Sequence, residues 1–292
     1  MYKINLELNK NFVCLESPLW DFKEKKLFFI DIPQNCIIEF DPKTKKHNEF
    51  FYNFKPTSIS KIKNKNKFVL SISNGFGILS SLYNKKLDYF VNVIKDDDIM
   101  FNDGKCSPNG LFYSGTMHIP RKNKSGKLFC FDKNKSISIV SEGTMVSNGL
   151  AWNKECNKMY WSDSRNYTIY SYDYDKQKNI VKNKKIFYET SKEQGRPDGA
   201  TVDSDGYYWT ACFMGGRILR ISPDGKLDKT ILMPVRDVTM VTFGGDNLNI
   251  IFVTSSKEIL KKNEIKKYPL SGSLFSIETE YTGLKASEYE EK

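Results

Sequence analysis

Histidine is almost absent from this sequence, and its scarcity limits the chemistry that the chain can perform. Only His47 and His118 occur among the 292 residues. A Ser-His-Asp or Cys-His site would have to use one of them, yet neither lies in a motif that supplies its partners, and no GxSxG nucleophile elbow is present. Catalysis by a nucleophilic triad is therefore not expected.

Long apolar runs and targeting segments are also lacking. No stretch approaches the length of a transmembrane helix. The opening residues, MYKINLELNKNFVCLESPLW, alternate polar and apolar side chains and lack the basic and continuously apolar regions of a secretory signal. We therefore expect a cytoplasmic protein without a membrane partner.

Neither the cysteines nor the basic residues form a recognisable binding pattern. The six cysteines are scattered without a CxxC pair, which favours free buried thiols over a zinc knuckle or disulfides. The formal net charge of +10 comes mostly from lysines in turn-like stretches, whereas arginine, which suits bidentate contacts with phosphates and bases, is scarce. A solvated lysine-rich surface is expected, and nucleic acid is not expected as a partner.

What the sequence does contain is a repeat. A short run of aromatic and β-branched residues followed by small or polar ones recurs six times, at intervals of 41, 43, 48, 48 and 44 residues. The equivalent positions are Phe28, Val69, Phe112, Tyr160, Tyr208 and Phe252. Such intervals are typical of the four-stranded blades of a β-propeller. We predict an all-β, six-bladed β-propeller that forms a single domain over residues 1–292.

The two ends of the chain carry separate expectations. The strand-like segment 4–8 can add an outer strand to the last blade and so close the ring, which would remove exposed sheet edges. The tail from Lys285 to Lys292 is polar, and we expect it to be frayed.

Four polar residues occupy the same place in the repeat. Glu16, Asn102, Asn148 and Asp198 lie 10 or 12 residues before the aromatic position of their blades. In a propeller this place lies near the start of the innermost strand, so the four side chains should form a ring around one mouth of the central channel. In the other two blades serine and threonine occupy it.

Two carboxylates and an amide oxygen brought together in this way suit a hard divalent cation. Ca²⁺, Mg²⁺ and Mn²⁺ prefer such oxygen ligands, and Zn²⁺ also accepts them. Without a cation, Glu16 and Asp198 would repel each other. The local sequences Asn-Gly and Pro-Asp-Gly are also ordinary turn sequences, which leaves a purely structural interpretation open.

The motifs taken together resemble those of one family. They are LESPLWD at 15–21, FNDGK at 101–105, GTM at 115–117, SNGLAW at 147–152, RPDG at 196–199 and FGGD at 243–246. In order and spacing they look like the regucalcin, gluconolactonase and luciferin-regenerating enzyme family. The resemblance implies a six-bladed propeller with one divalent metal ion, of which Glu16, Asn148 and Asp198 are the ligands, and it suggests Asp198 as the catalytic general base.

The resemblance also suggests substrate contacts. It places Asn102 beside the metal, as a ligand or a substrate contact, with Asp103 next to it, and His118 follows the GTM motif and could face the pocket. Met100 stands where the family usually has an arginine that contacts sugar hydroxyls. An apolar thioether disfavours a densely hydroxylated ligand at that point.

These observations predict a metal-dependent hydrolase. The expected substrate is a small-molecule sugar lactone, opened to its aldonic acid in carbohydrate catabolism by a monomer or homodimer. One divalent ion, Ca, Zn, Mg or Mn, is the expected cofactor, and Arg121 or Arg196 could replace the missing family arginine from a neighbouring loop. Two alternatives stay open: hydrolysis of another ester or phosphotriester-like bond at the same metal, and metal or ligand binding without catalysis.

Overall fold

A computed structural model describes residues 2–292, which are organised almost entirely as β-strands. The strands form six antiparallel sheets of four strands each. The innermost strands of neighbouring sheets contact one another in a closed ring around a central channel. The predicted six-bladed β-propeller is confirmed.

Blades one to three each run from the innermost strand to the outermost. Blade one comprises β2 (Leu15–Asp21), β3 (Lys26–Asp31), β4 (Cys36–Phe40) and β5 (His47–Phe51). Blade two comprises β6 (Pro56–Lys61), β7 (Phe68–Ile72), β8 (Gly75–Leu79) and β9 (Tyr89–Asn92). Blade three comprises β10 (Ile99–Cys106), β11 (Phe112–His118), β12 (Gly126–Phe131) and β13 (Ile137–Thr144).

Blades four to six continue in the same direction. Blade four comprises β14 (Ser147–Trp152), β15 (Lys158–Asp163), β16 (Thr168–Asp175) and β17 (Ile180–Glu189), with a 3-10 helix (Ser164–Asn166) after β15. Blade five comprises β18 (Arg196–Val202), β19 (Tyr208–Phe213), β20 (Arg217–Ile221) and β21 (Leu227–Leu232). Blade six comprises β22 (Asp237–Gly244), β23 (Ile250–Ser256) and β24 (Leu274–Glu278), with a short helix α1 (Lys262–Lys267) before β24.

The first strand of the chain completes the last blade. Strand β1 (Ile4–Leu8) pairs antiparallel with β24, and Ile4 lies opposite Ile277. The expected closure of the ring by segment 4–8 is therefore confirmed. A single domain over residues 1–292 stays a prediction, which this closure supports.

Aromatic side chains from the repeat join neighbouring blades. Tyr160 of blade four lies 4.9 Å from Tyr208 of blade five, measured between ring centroids, and Phe252 of blade six stacks on Trp20 of blade one at 5.5 Å. All four side chains are at least 95% buried. Burial of a large apolar side chain contributes about 1.5–3 kcal/mol, so the repeated aromatic positions hold the ring together.

The C-terminal tail is an ordered part of the ring, and the expectation of a frayed tail was wrong. Tyr289 is completely buried, forms a parallel bridge with Ile62 of blade two, and stacks on Phe131 of blade three at 5.5 Å. Its hydroxyl donates a hydrogen bond to the carbonyl of Asp132 at 2.6 Å. The tail thus links blades two and three by contacts that its polar composition did not reveal.

Two further expectations concern the thiols and the membrane. All six cysteines are free, and five of them are buried, as expected. None of the helices in residues 2–292 combines the length and the apolar composition required to cross a membrane.

Candidate active site

The inner strands do not run as regular strands past the predicted metal ligands. Strand pairing is interrupted between Glu16 and Leu19 in blade one and between Asn148 and Ala151 in blade four, and the other four inner strands show similar shifts. The residues that directly follow Glu16 and Asn148 adopt left-handed φ values of 51° and 65°. Such bulges redirect side chains, which accounts for polar side chains that face the channel from strands with an apolar pattern.

The geometry around Gly149 explains why the motif of blade four reads Asn-Gly. The left-handed φ favours glycine, and a Cβ atom at this position would lie 2.4 Å from the hydroxyl of Tyr208 and 2.5 Å from that of Ser162. No side chain fits there without displacing its neighbours. The glycine of the Asn-Gly pair is therefore required by the close packing against Ser162 and Tyr208, and not only by the turn.

Two buried aspartates fix the backbone just ahead of the predicted ligands. Asp31, at the end of β3, accepts hydrogen bonds at 2.8 and 3.2 Å from the two N–H groups that precede β2. Asp163, at the end of β15, accepts equivalent bonds at 3.0 and 3.2 Å from two N–H groups just ahead of β14. Both residues are completely buried. Each carboxylate holds the start of the strand that carries Glu16 or Asn148.

The amide of Asn148 has a fixed orientation. Its Nδ2 donates to the hydroxyl of Ser164 at 2.8 Å, and this hydroxyl donates in turn to the carbonyl of Pro197 at 2.6 Å. The Nδ2 of Asn102 donates to the carbonyl of Ser147 at 2.9 Å and to Oδ1 of Asn148 at 3.0 Å. Oδ1 of Asn148 is thereby assigned as the oxygen available to a ligand, and Asn102 lies directly beside it.

Glu16 and Asp198 are carboxylates without a compensating cation. In residues 2–292 no Lys, Arg or His nitrogen lies within 4.0 Å of either side chain. Burial raises the pKa of both carboxyls, and the negative charge of Glu16 raises the pKa of Asp198 further. The ionised pair therefore requires a positive charge at this point.

The donor atoms present fit a hard divalent cation. In residues 2–292 no three His, Cys, Asp or Glu side chains form a cluster that could hold a metal ion. The candidate set is therefore two carboxylates and the amide oxygen of Asn148, with neither a thiolate nor an imidazole. Oxygen donors of this kind suit Ca²⁺, Mg²⁺ or Mn²⁺ better than softer ions.

Asp103 is buried and, unlike Asn102, does not line the cavity above the carboxylates. Its Oδ2 accepts a hydrogen bond from the N–H of Leu150 at 3.1 Å. Burial raises the pKa of Asp103, while the nearby charge of Lys105 opposes the shift. Burial lowers the pKa of Lys105 to about 8, and its ammonium donates to the carbonyl of Ala200. The structure thus buries Asp103 with the charge of Lys105 nearby, while the Lys105 ammonium itself is bound to the carbonyl of Ala200.

A cavity of about 280 Å³ opens above the two carboxylates. Glu16, Asn102, Asn148 and Asp198 lie among its lining residues, and Met100 contributes to the wall. The volume lies at the lower end of the range for small-molecule sites, about 300–1,000 Å³. The cavity therefore suits a ligand of one ring.

His118 does not line this cavity. Its side chain is buried, and Nδ1 accepts hydrogen bonds from the N–H groups of Lys122 and Asn123 at 3.0 and 3.2 Å. The imidazole therefore organises the turn after β11. Its position directly after the GTM motif had suggested a substrate contact that this geometry does not support.

The comparison with known proteins identifies the family. Residues 14–257 match the family model described as SMP-30/Gluconolactonase/LRE-like region. The chain belongs to this family. Among SMP-30/gluconolactonase/LRE-like proteins, it is 32% identical to 6-deoxy-6-sulfogluconolactonase of Pseudomonas putida over 92% of each chain, and 30% identical to regucalcin of Homo sapiens over 94% of each. Luciferin-regenerating enzyme has a similar structure, with a TM-score of 0.91 over 99% of each chain and 26% identity.

Sequence reasoning missed two groups of residues around the site. Asp31 and Asp163 each lie three residues after the aromatic position of their blade, so their common place in the repeat was a usable signal. The second group consists of Lys55 and Arg165, two cations outside the β-strands that line the cavity. They lie outside the repeated motifs, and the sequence offered no comparable signal for them.

Proposed function

We propose that this chain is a metal-dependent hydrolase that opens a sugar lactone to its aldonic acid. The observation that supports the proposal most strongly is the pair of carboxylates, Glu16 and Asp198, which lies without a cation at the floor of a cavity sized for one ring. Relatives named as lactonases add support. Location in the cytoplasm, a role in carbohydrate catabolism and a monomeric or dimeric state stay predictions from the sequence.

Glu16, Asn148 and Asp198 would hold one divalent ion, Ca, Zn, Mg or Mn. When bound, the ion supplies Lewis acidity to the lactone carbonyl and to the attacking water. The chain contributes an amide oxygen of fixed orientation, because Ser164 holds the Nδ2 atom of Asn148.

Asp198 is the residue that we assign to proton transfer. Its carboxylate would accept a proton from the attacking water while the water oxygen bonds to the carbonyl carbon. The bond from that carbon to the ring oxygen then breaks, and the proton held by Asp198 passes to the ring oxygen, which leaves as a hydroxyl group. Asp198 must be ionised at the start, a state that its burial beside Glu16 disfavours unless a positive charge is present.

Asn102 and Met100 would position the substrate. The Nδ2 hydrogens of Asn102 are directed to Ser147 and Asn148, which leaves its Oδ1 to accept a hydrogen bond from a substrate hydroxyl. Met100 offers an apolar contact in the same wall. A substrate with fewer hydroxyl groups on that side is therefore expected.

The test is hydrolysis of gluconolactone, galactonolactone, xylonolactone and arabinonolactone, followed by acid release. The protein is stripped with EDTA and reloaded with single divalent ions, and Asp198→Asn is compared with Asp246→Asn, which changes a carboxylate exposed far from the cavity. We expect the wild-type protein to hydrolyse a lactone only when a divalent ion is bound. Asp246→Asn should keep this activity, and Asp198→Asn should lose it.

Other outcomes favour the alternatives. If aryl esters or phosphotriesters are hydrolysed and no lactone is, the site is assigned to that second substrate class. The apolar side chains of Met100 and Met117 in the cavity wall would suit the apolar groups of such substrates. Tight binding of a divalent ion, measured by calorimetry, without turnover of any ester would indicate a binding protein and would contradict the proposal.

A further inference from the structure

The wall of the cavity carries positive charge on one side. Lys55 precedes β6 in blade two, Arg121 follows β11 in blade three, Arg165 lies in the 3-10 helix of blade four, and Arg196 begins β18 in blade five. We call these four residues the cationic arc. They come from four consecutive blades and face one cavity, so their charges act on the same ligand.

Arginine is concentrated at this place. The chain has only six arginines, and three of them belong to the cationic arc. Two others are paired with carboxylates: Arg220 lies 2.8 Å from Asp203, and Arg236 lies 2.7 Å from Asp237. Of the three arginines outside the arc, two therefore have a carboxylate partner, and the third, Arg217, donates from its Nε to the carbonyl of Gly215.

The cationic arc has no such partners. In residues 2–292 none of its four side chains lies within 4.0 Å of a carboxylate oxygen. The Nε atom of Arg196 is buried and has no hydrogen-bond acceptor. An unpaired buried donor is costly, so an acceptor supplied by a ligand would stabilise it.

The carboxylates of the cavity do not compensate the arc. Glu16 and Asp198 lie at the floor, where we assign them to the metal, and Glu258 lies on blade six, outside the four blades of the arc. Blade one adds the apolar Ile32 and Pro33 to the wall. The cavity is therefore polarised, since its four cations lie on blades two to five and none of its lining residues on blades six and one is a cation.

We propose that the substrate is a lactone that carries a second, anionic group, which the cationic arc binds while the lactone carbonyl lies at the axis. This inference depends on the proposed lactonase function. Phosphate, sulfonate and carboxylate share the required chemistry, because each presents acceptor oxygens that match the planar fork of arginine. Selection by charge would also replace the hydroxyl contact that Met100 cannot make.

The first test compares lactones that differ in one substituent. Glucono-1,5-lactone, its 6-phosphate, its 6-deoxy-6-sulfonate and glucaro-1,4-lactone are hydrolysed by the metal-loaded enzyme, and kcat/KM is measured for each. At least one charged lactone is expected to exceed the neutral one by about tenfold to a hundredfold, the effect of one or two charge-assisted hydrogen bonds. The order among the three identifies which anion is preferred. Equal values for all four overturn the proposal.

Variants locate the effect. Arg165→Gln and Arg196→Gln should each lower the ratio of kcat/KM for the charged lactone to that for the neutral lactone by about tenfold, and Arg165→Lys should recover part of it. Arg217→Gln is the matched control, because Arg217 does not line the cavity and its Nε donates to the carbonyl of Gly215. Loss of activity on both lactones in equal proportion would show that the arc has no charge-selective role.

A binding experiment separates this inference from the lactonase proposal. If no lactone is hydrolysed, the lactonase proposal fails. Calorimetry with 6-phosphogluconate and gluconate then tests separately whether the cationic arc binds an anionic group. Binding of the phosphorylated acid at least tenfold tighter, lost in Arg165→Gln and kept in Arg217→Gln, supports an anion site. Equal binding of the two acids contradicts it.

Discussion

Replacement of Asp198 by asparagine should change thermal stability in opposite directions with and without a divalent ion. Asp198 is 6% exposed and lies near Glu16, and among residues 2–292 no side-chain cation pairs with either carboxylate. Asparagine has nearly the same shape and removes one negative charge. In the metal-free protein the substitution therefore relieves repulsion, whereas in the loaded protein it removes a ligand.

The size of the effect has an upper limit. A carboxyl that cannot stay charged binds a proton instead, so the cost at pH 7 does not exceed the free energy of protonating an ordinary glutamate at that pH, about 4 kcal/mol. Relief of about 1–3 kcal/mol corresponds to a rise in Tm of about 2–6 °C for a chain of this length. Loading with an ion at a hundred times its Kd adds about 2.7 kcal/mol to the wild-type protein.

The assay is thermal unfolding in EDTA and in a titration of Ca²⁺, Mg²⁺, Mn²⁺ and Zn²⁺. Asp198→Asn should unfold above the wild type in EDTA and below it with saturating ion. Asp246→Asn is the control, since its side chain is 83% exposed, and it should unfold with the wild type in both conditions. A variant that unfolds below the wild type in EDTA would refute the reasoning, because the two carboxylates would then not repel each other in the folded state.

Three further predictions concern residues that support the site and the ring. Asp163→Ala should weaken binding of the divalent ion by about 10–100-fold in calorimetry, because it frees the backbone ahead of Asn148, the proposed amide ligand; unchanged affinity would refute this role. Tyr289→Ala should lower the free energy of unfolding by about 3 kcal/mol or more in urea, whereas Tyr83→Ala, at a position 76% exposed, should have little effect; equal losses would show that the tail does not join the blades. Lys105→Met should destabilise by about 1–3 kcal/mol, since it removes the ammonium that donates to the carbonyl of Ala200 and whose charge acts on the buried Asp103, and adding Asp103→Asn should recover part of the loss; additive losses in urea denaturation would contradict this coupling.

The fold was predictable because its determinants are local and repeated. Each blade places an aromatic residue such as Tyr160 or Phe252 at the same point, and these residues join adjacent blades in the structure. The ring of polar residues was also predictable, since equivalent positions in a propeller must surround the axis. The length of the repeat and the equivalent places of residues within it were therefore sufficient to predict the architecture. They were also sufficient to predict that Glu16, Asn148 and Asp198 line one cavity.

The features that sequence reasoning missed depend on where individual side chains point. His118 follows a motif that borders the cavity, yet it accepts hydrogen bonds from its own turn. Asp103 follows Asn102 directly and does not line the cavity, because both residues lie in the irregular segment between Phe101 and Gly104, where the bulge redirects the side chains. Tyr289 lies in a polar tail, and its contacts with blades two and three are distant in sequence. None of these directions follows from composition or spacing.

The proposed metal ligands and the cations of the arc lie mostly in different parts of the fold, which suggests how one fold can act on several substrates. Glu16, Asn148 and Asp198 lie on inner strands, whose bulges and buried partners fix their positions. Three of the four cations of the arc lie outside these strands, Lys55 and Arg121 in connecting segments and Arg165 in the 3-10 helix, where substitution does not disturb strand pairing. Charge selection at the wall can therefore change while the floor of the cavity stays constant. Arg196 is the exception, since it begins the strand that carries Asp198, and it is the residue at which substrate preference and metal binding should be coupled.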